Sequence, residues 1–305
     1  MKSEESLLVY AWLVRTFQNS KGMTFEKMNE KWMKDKEFSD GVEMTYSMFH
    51  RHRTKLAISL GVFISYDFKR QVYFMENKEP LRGKELIGYM FQTTMISRAL
   101  QSLVGLERRV ALQKFSLGHD VIMSVCYSIR ENREVIMSYL AQDSDTVKEH
   151  HVLPYGLKMY NGRTYMIGKI KDGKSDNLIP FELDRIQSFE ITSKSFNMPA
   201  DFDIHEYYFH YFGVFRDEKV PPEEVEIWTF GNTHRYLQEV PLHHSQQEIK
   251  HHQTDYHKYK LFLSPTNDFI GEVIRHAERV KVVRPAWLVA KVEARIDKMK
   301  ENYHK

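Results

Sequence analysis

The sequence predicts an α+β multidomain protein: a winged helix-turn-helix, a helical linker, a small curved β-barrel and a C-terminal α+β module. Three observations predict it. Residues 6–75 run as three amphipathic helical patterns followed by two short strands joined by a basic hairpin. The middle of the chain alternates short strand patterns with Gly, Asn, Asp and Ser turns. After the Pro221-Pro222 break, strand and helix patterns alternate without a glycine-rich phosphate loop. The expected boundaries are 1–79, 80–115, 116–200 and 201–305.

In SLLVYAWLVRTFQ, Leu7, Tyr10, Val14 and Phe17 recur at helical spacing, and Lys21-Gly22 ends that helix. Thr24 is the expected N-cap of a second helix, whose stripe is Phe25, Met28 and Trp32. The third opens on Thr45 and stops at Gly61, with Tyr46, Phe49, Leu56 and Leu60 on one side and Ser47, His50, Arg51 and Thr54 opposite. Strands Val62 to Tyr66 and Gln71 to Met75 then flank a turn at Asp67 to Arg70, which completes the order of a winged helix-turn-helix. From Pro80 to Leu112 a helical pattern, with Leu86, Met90 and Ile96 to Leu103 as its apolar positions, connects the domains. The β-module takes a helix at HDVIMSVCYSIREN and strands at REVIMSYL, VKEHHVLPYGLKMY, GRTYMIGKI and LIPFELDRIQSFEIT.

With 305 residues, charges of both signs and a net charge of only +3, any nucleic-acid binding must come from a local patch. No apolar run approaches the roughly 20 residues needed to span a bilayer, and MKSEESLLVY does not read as a signal peptide, so a cytoplasmic protein that does not touch membranes is expected. The single cysteine, Cys126, lies in DVIMSVCYSI and reads as a small buried hydrophobe.

The local patch is on the third helix. Between Glu43 and Asp67 there is no acid, while His50, Arg51, His52, Arg53 and Lys55 crowd together. Ser47, His50, Arg51 and Thr54 are the candidates for base edges in a major groove, and Lys55, Lys69 and Arg70 for phosphates. The adjacent pairs His150-His151, His243-His244 and His251-His252 do not converge on a strand or a helix, so no metal is expected. Serine-hydrolase, P-loop and dinucleotide motifs are absent, and neither an enzyme nor a cofactor is expected.

The stretch NGRTYMIGKI places Arg163, Tyr165 and Ile167 on one face of a strand, with Thr164 and Met166 on the other. HVLPYGLKMYNGRTYMIG followed by LIPFELDRI resembles the WYL domain: Thr164-Tyr165-Met166 stands where Trp-Tyr-Leu would, and Leu183-Asp184-Arg185-Ile186 matches that family's closing run. EEVEIWTFGNTHRYLQEVPLHHSQQE and DFIGEVIRHAERVKVVRPAWL look like the extension usual in such regulators. The resemblance implies a homodimeric transcriptional regulator that binds a double-stranded DNA operator. It also implies an Sm-like WYL barrel that binds an anionic effector, a nucleotide or single-stranded nucleic acid, and a ferredoxin-like C-terminal extension. Carried over by position, the effector pocket falls on His151, Tyr165 and Arg185, with Arg163 and Tyr139 as neighbours; His151 stands where the family has arginine. Two plainer readings stay open: Arg185 in an ion pair with Asp184 or Glu182, and Tyr165 as a half-buried barrel residue. A second functional reading is a single-stranded nucleic-acid or nucleotide-binding module that acts on a partner protein.

Overall fold

The computed structural model describes residues 2–76, 85–101, 103–111, 120–173, 177–252 and 255–304. The chain divides into two compact units, Met1–Gln113 and Lys114–Lys305.

The N-terminal unit comprises α1 (Lys2–Gln18), α2 (Phe25–Lys34), the single-turn α3 (Lys36–Ser39), α4 (Tyr46–Leu60), the antiparallel hairpin β1 (Ile64–Asp67) and β2 (Val72–Met75), and α5 (Glu85–Gln101). Thr24 caps α2 through a hydrogen bond from Lys27 N, as its position predicts. The acidic stretch after α2, DKEFSDG, which reads from the sequence only as that helix's end, folds into α3, because Asp35 ends one helix and begins the next. Met23 pairs with Tyr73 and so adds a third strand, one residue long, to the hairpin.

Helix α1 is buried on more sides than an amphipathic helix requires: Tyr10, Ala11, Trp12, Leu13, Val14 and Phe17 are all in the core. The reason is α5. Its Phe91 is buried, and Ile87 and Met95, one turn to either side, pack against the same core, so α1 lies between α5 and the rest of the unit. Arg98 fastens α5 to α3, donating to Glu37 O and pairing with Asp40 at 2.7 Å. The apolar positions read from the sequence, Leu86, Met90 and Ile96, are exposed instead, since the buried stripe is offset by one residue from the expected one. Residues 80–84, 102 and 112–115 of the expected linker lie outside the described residues.

The second unit opens with α6 (Ile122–Arg130), followed by β3 (Arg133–Leu140), β4 (Val147–Tyr160), β5 (Arg163–Ile170), β6 (Ile179–Glu182) and β7 (Ile186–Ser195) in one antiparallel sheet, ordered β6-β5-β4-β3-β7. The expected fourth strand is therefore two strands. A 3₁₀ turn at Leu183–Arg185 carries the chain from one edge of the sheet to the other, so a three-residue link holds both edges together and the sheet must curl. A bulge at Pro154–Gly156 lets β4 pair with β3 along its first half and with β5 along its second. The enclosed core is Val125, Val135, Met137, Val152, Met166, Phe181, Leu183 and Ile186. Cys126 is exposed, contrary to expectation: α6 turns Val125 and Ser128 inward, and the next residue round the wheel faces water.

The rest of this unit is α7 (Ile204–Tyr208), β8 (Glu223–Phe230), α8 (Thr233–Glu239), β9 (Gln247–Ile249), β10 (Tyr256–Leu263), α9 (Asn267–Arg275), β11 (Val280–Arg284) and α10 (Ala286–Asn302). From β8 to β11 this is a βαββαβ connectivity, with sheet order β11-β8-β10-β9 and all pairings antiparallel. Val225, Ile227, Leu261, Leu263, Val280 and Val282 face the helices and form the core with Phe269, Ile270, Val273 and Leu288. Gly213 has φ 86°, and a Cβ there would overlap Asp268. That close approach lets Asp268 Oδ2 accept hydrogen bonds from Val214 N (2.9 Å) and Phe215 N (3.1 Å), clamping the segment after α7 to the start of α9. Among the described residues no helix is long and apolar enough to cross a membrane.

Candidate functional site

Helix α4 begins where Thr45 Oγ1 accepts from Met48 N and ends at Gly61, whose φ of 59° makes the left-handed cap. Phe49, His52 and Leu56 point into the core. Ser47, Arg51, Thr54 and Lys55 are exposed and, from their spacing, form one continuous stripe with Ile58 beyond them.

His50 does not join that stripe. It is half-buried, its ring lies 4.4 Å from that of Tyr46, and its Nε2 is 3.2 Å from Tyr73 Oη on β2. Burial, aided by the Arg53 charge, lowers its pKa, so His50 braces the helix against the hairpin as a neutral imidazole. Tyr46, expected inside, is 55% exposed, and His52 takes the inward position at 7%. A stripe drawn from apolar residues alone passes over this histidine. Its ring stands edge-on to Tyr10, and burial followed by the Arg51 and Lys55 charges lowers its pKa.

At the hairpin tip Asp67 Oδ1 accepts from Lys69 N and Arg70 N, which fixes the turn. Lys69 is exposed, as is Phe68 beside it. Arg70 is exposed too, but it donates to Lys21 O at 2.7 Å and so tethers the tip to the α1–α2 loop.

In the curled sheet, four of the five proposed pocket residues lie around Glu182, and two of them, Arg163 and Arg185, meet its carboxylate. Tyr165 on β5 is directly opposite Glu182 on β6, and Arg163 is two residues before Tyr165 on the same face. Arg163 Nη1 pairs with Glu182 Oε1, and Arg185 Nε is 3.2 Å from Glu182 Oε2. Tyr139, from β3, accepts a hydrogen bond from Glu182 N at 3.2 Å. Glu182 itself is 7% exposed. Arg185 is therefore not an unpaired arginine, and of the two acids weighed for it Glu182 is the one whose carboxylate it meets.

Tyr165 is only 8% exposed and packs with Ile167, Tyr208 and Val214, so burial raises its pKa. Its ring belongs to the seam beneath α7 more than to an open pocket. His151 stands apart: it pairs with Ile136 across β3, its side chain is half exposed, and its Nε2 is 3.9 Å from Glu149. The preceding residue, His150, turns to the Tyr139 side, 6.5 Å from that ring and 5.9 Å from Phe181. Strand alternation anchored on buried Val152 selects His150, because residues two apart share a face.

Sequence reasoning also passed over Lys158. It pairs with Tyr165 across β4 and β5, and its Nζ lies 3.8 Å above the Tyr208 ring. Desolvation lowers its pKa to about 8, against a smaller upward pull from Asp268. Since the folded value is below the ordinary 10.5, the unfolded chain binds this proton more tightly between pH 8 and 10.5, and stability rises with pH across that window. Lys158→Met is expected to stabilise the fold at pH 7 by about 1–2 kcal/mol, discounted for the solvent the side chain still meets. In denaturant titrations at several pH values the gain should vanish towards pH 10.5; a pH-independent difference rejects the protonation argument.

Residues 120–191 match the family model of the WYL domain, and residues 221–300 match that of the WCX domain. No curated protein matches the sequence. Among solved structures, proteasome accessory factor B/C (PafBC) of Arthrobacter aurescens is similar over 95% of this chain at 17% identity and TM-score 0.35. A CRISPR Cas-related protein is similar over 99% of it at 11% identity and TM-score 0.39. The chain spans 45% of the length of PafBC and 85% of the length of the second protein. The C-terminal unit thus carries a WYL domain followed by a WCX domain.

Proposed function

We propose that the protein is a transcriptional regulator, not an enzyme, in which a winged helix-turn-helix formed by α1 to β2 binds duplex DNA and the WYL domain, an Sm-like barrel, senses an anionic effector. One observation carries the reading: the acid-free face of Ser47, Arg51, Thr54 and Lys55 stands exposed on the helix that precedes a hairpin with an exposed Lys69, in a chain that also matches the WYL domain. Arginine and lysine on such a face neutralise phosphates, and the short polar residues between them suit base edges.

The effector site is built on Arg163, Arg185 and Tyr139, with Glu182 as the resident anion. A phosphate or carboxylate ligand has to displace that carboxylate to pair with the guanidiniums, so the pocket favours a multiply charged ligand over a monoanion. Two copies of the chain bind one operator, and the effector acts by preferring one dimer arrangement over the other. Selection of duplex fragments from random DNA should enrich an inverted repeat with half-sites about one helical turn, or a multiple of it, apart. Failure of any duplex to enrich over single strands rejects the operator reading.

A further inference from the structure

We propose that the open face of the WCX-domain sheet is a binding platform for single-stranded nucleic acid, with Trp228 as the base-stacking residue. One face of β8, β10 and β11 supplies the hydrophobic core, and the other carries Trp228, Phe230, Tyr256, Lys258, Lys260, Lys281 and Arg284, with the acids Glu224 and Glu226 among them. The register sets the pattern. Trp228 is directly opposite Lys258 on one neighbouring strand and Lys281 on the other, and Phe230 is opposite Tyr256.

The rings form a column. Trp228 and Tyr256 stack with centroids 4.2 Å apart at 16°, and His251 stacks on Tyr256 at 4.9 Å and 22°. Lys258 Nζ is 5.2 Å from the Trp228 centroid and 5.6 Å from that of Tyr256, and Lys281 Nζ, from the opposite strand, is 5.8 Å from Trp228. Trp228 Nε1 donates to Glu226 at 2.8 Å, which fixes the plane of the indole. Glu226 also has Arg284 at 3.9 Å and is paired in register with Lys260. The carboxylate at the centre of the face thus has Arg284 within ion-pair distance and Lys260 opposite it, and Lys258 and Lys281 remain beside the rings.

Half-buried aromatic rings on the two central strands of a four-stranded antiparallel sheet, with lysines between them, suit unpaired bases better than duplex. Every base has a π-face to lay on the indole, whereas bases stacked inside a duplex present none to a flat sheet. A base entering on the β11 side extends the column at Trp228 and displaces the Lys281 ammonium from the ring. That cation is then beside the backbone phosphate of the same nucleotide. Neither Arg185 nor α4 takes part, so the surface stands independently of the function proposed above.

The test uses the full-length chain carrying Arg51→Ala and Lys55→Ala, which silences α4, with fluorescent oligothymidylate and oligouridylate of about 10 nucleotides read by anisotropy at several salt concentrations. Both probes, or one of them, should bind, with the two arms separating DNA from RNA. Trp228→Ala should weaken binding about 10-fold, while Trp228→Phe, which retains a stacking ring, should recover most of the affinity. Lys258→Gln with Lys281→Gln should weaken it and reduce the salt slope by about 0.7 for each phosphate that is no longer neutralised. Arg185→Ala subtracts any binding by the WYL site, so the loss caused by Trp228→Ala should be of the same size with or without it. The proposal is overturned if neither probe binds, if Trp228→Ala and the lysine pair bind as tightly as the parent, if a duplex of equal length competes as well as the single strand, or if the weakening follows Arg185 instead.

Discussion

Replacing Arg51 and Lys55 together by alanine is expected to weaken duplex DNA binding by about 100-fold and to leave the melting temperature where it was. Both side chains are exposed on α4, so their removal opens no cavity. The two residues act on binding in different ways. Arg51, in the middle of the stripe, is placed for a base edge, and its replacement should reduce discrimination between sequences. Lys55, at the margin, is placed for a phosphate, and its replacement should lower affinity for all duplexes and reduce the salt slope by about 0.9. Removing the two charges also relieves part of the influence that keeps His52 neutral in the core, which again leaves the fold intact at pH 7. Anisotropy titrations over a salt series, with thermal melts alongside, check each part; unchanged affinity and slope would remove α4 from the interface.

What the sequence made legible was local. Thr24, Thr45 and Gly61 act as caps because capping depends on a side chain or a φ angle at one position. The hairpin turn at Asp67 is legible for the same reason. What it hid depends on partners remote in the chain. The burial of α1 on several sides follows from α5, a helix that begins only at Glu85 and that no wheel drawn on α1 alone contains. The split of the expected fourth strand at Leu183–Arg185 follows from closure of a curled sheet, a property of all five strands together. In the candidate site the residue types were legible and their partners were not. Arg163, Arg185 and Tyr139 do meet, but around Glu182, and the choice of His151 over His150 turned on which face of β4 is buried. Lys158 escaped notice because its chemistry comes from the ring of Tyr208, far along the chain on α7.

Glu182→Gln is the sharpest perturbation of the WYL domain, because it preserves shape and removes the one charge that two arginines share. Deleting a partner from a buried ion pair costs about 3–5 kcal/mol, as the remaining charge is left desolvated. Here Arg163 is 46% exposed and Arg185 26%, so water can recover part of that cost and the expected destabilisation is about 2–3 kcal/mol. Two further results separate a purely structural triad from an effector site. Adding Arg185→Met to Glu182→Gln should recover part of the stability, since the stranded cation is gone, and the double-mutant cycle should show coupling of about 1 kcal/mol or more. If Glu182 occupies the place of a ligand anion, Glu182→Gln should also bind pyrophosphate or a short oligonucleotide at least 10-fold more tightly than the parent, and the double variant should lack that gain. A variant that is destabilised but no better at binding anions would leave the triad as a structural clamp closing β5 onto β6, and the effector would then have to be sought away from Arg163 and Arg185.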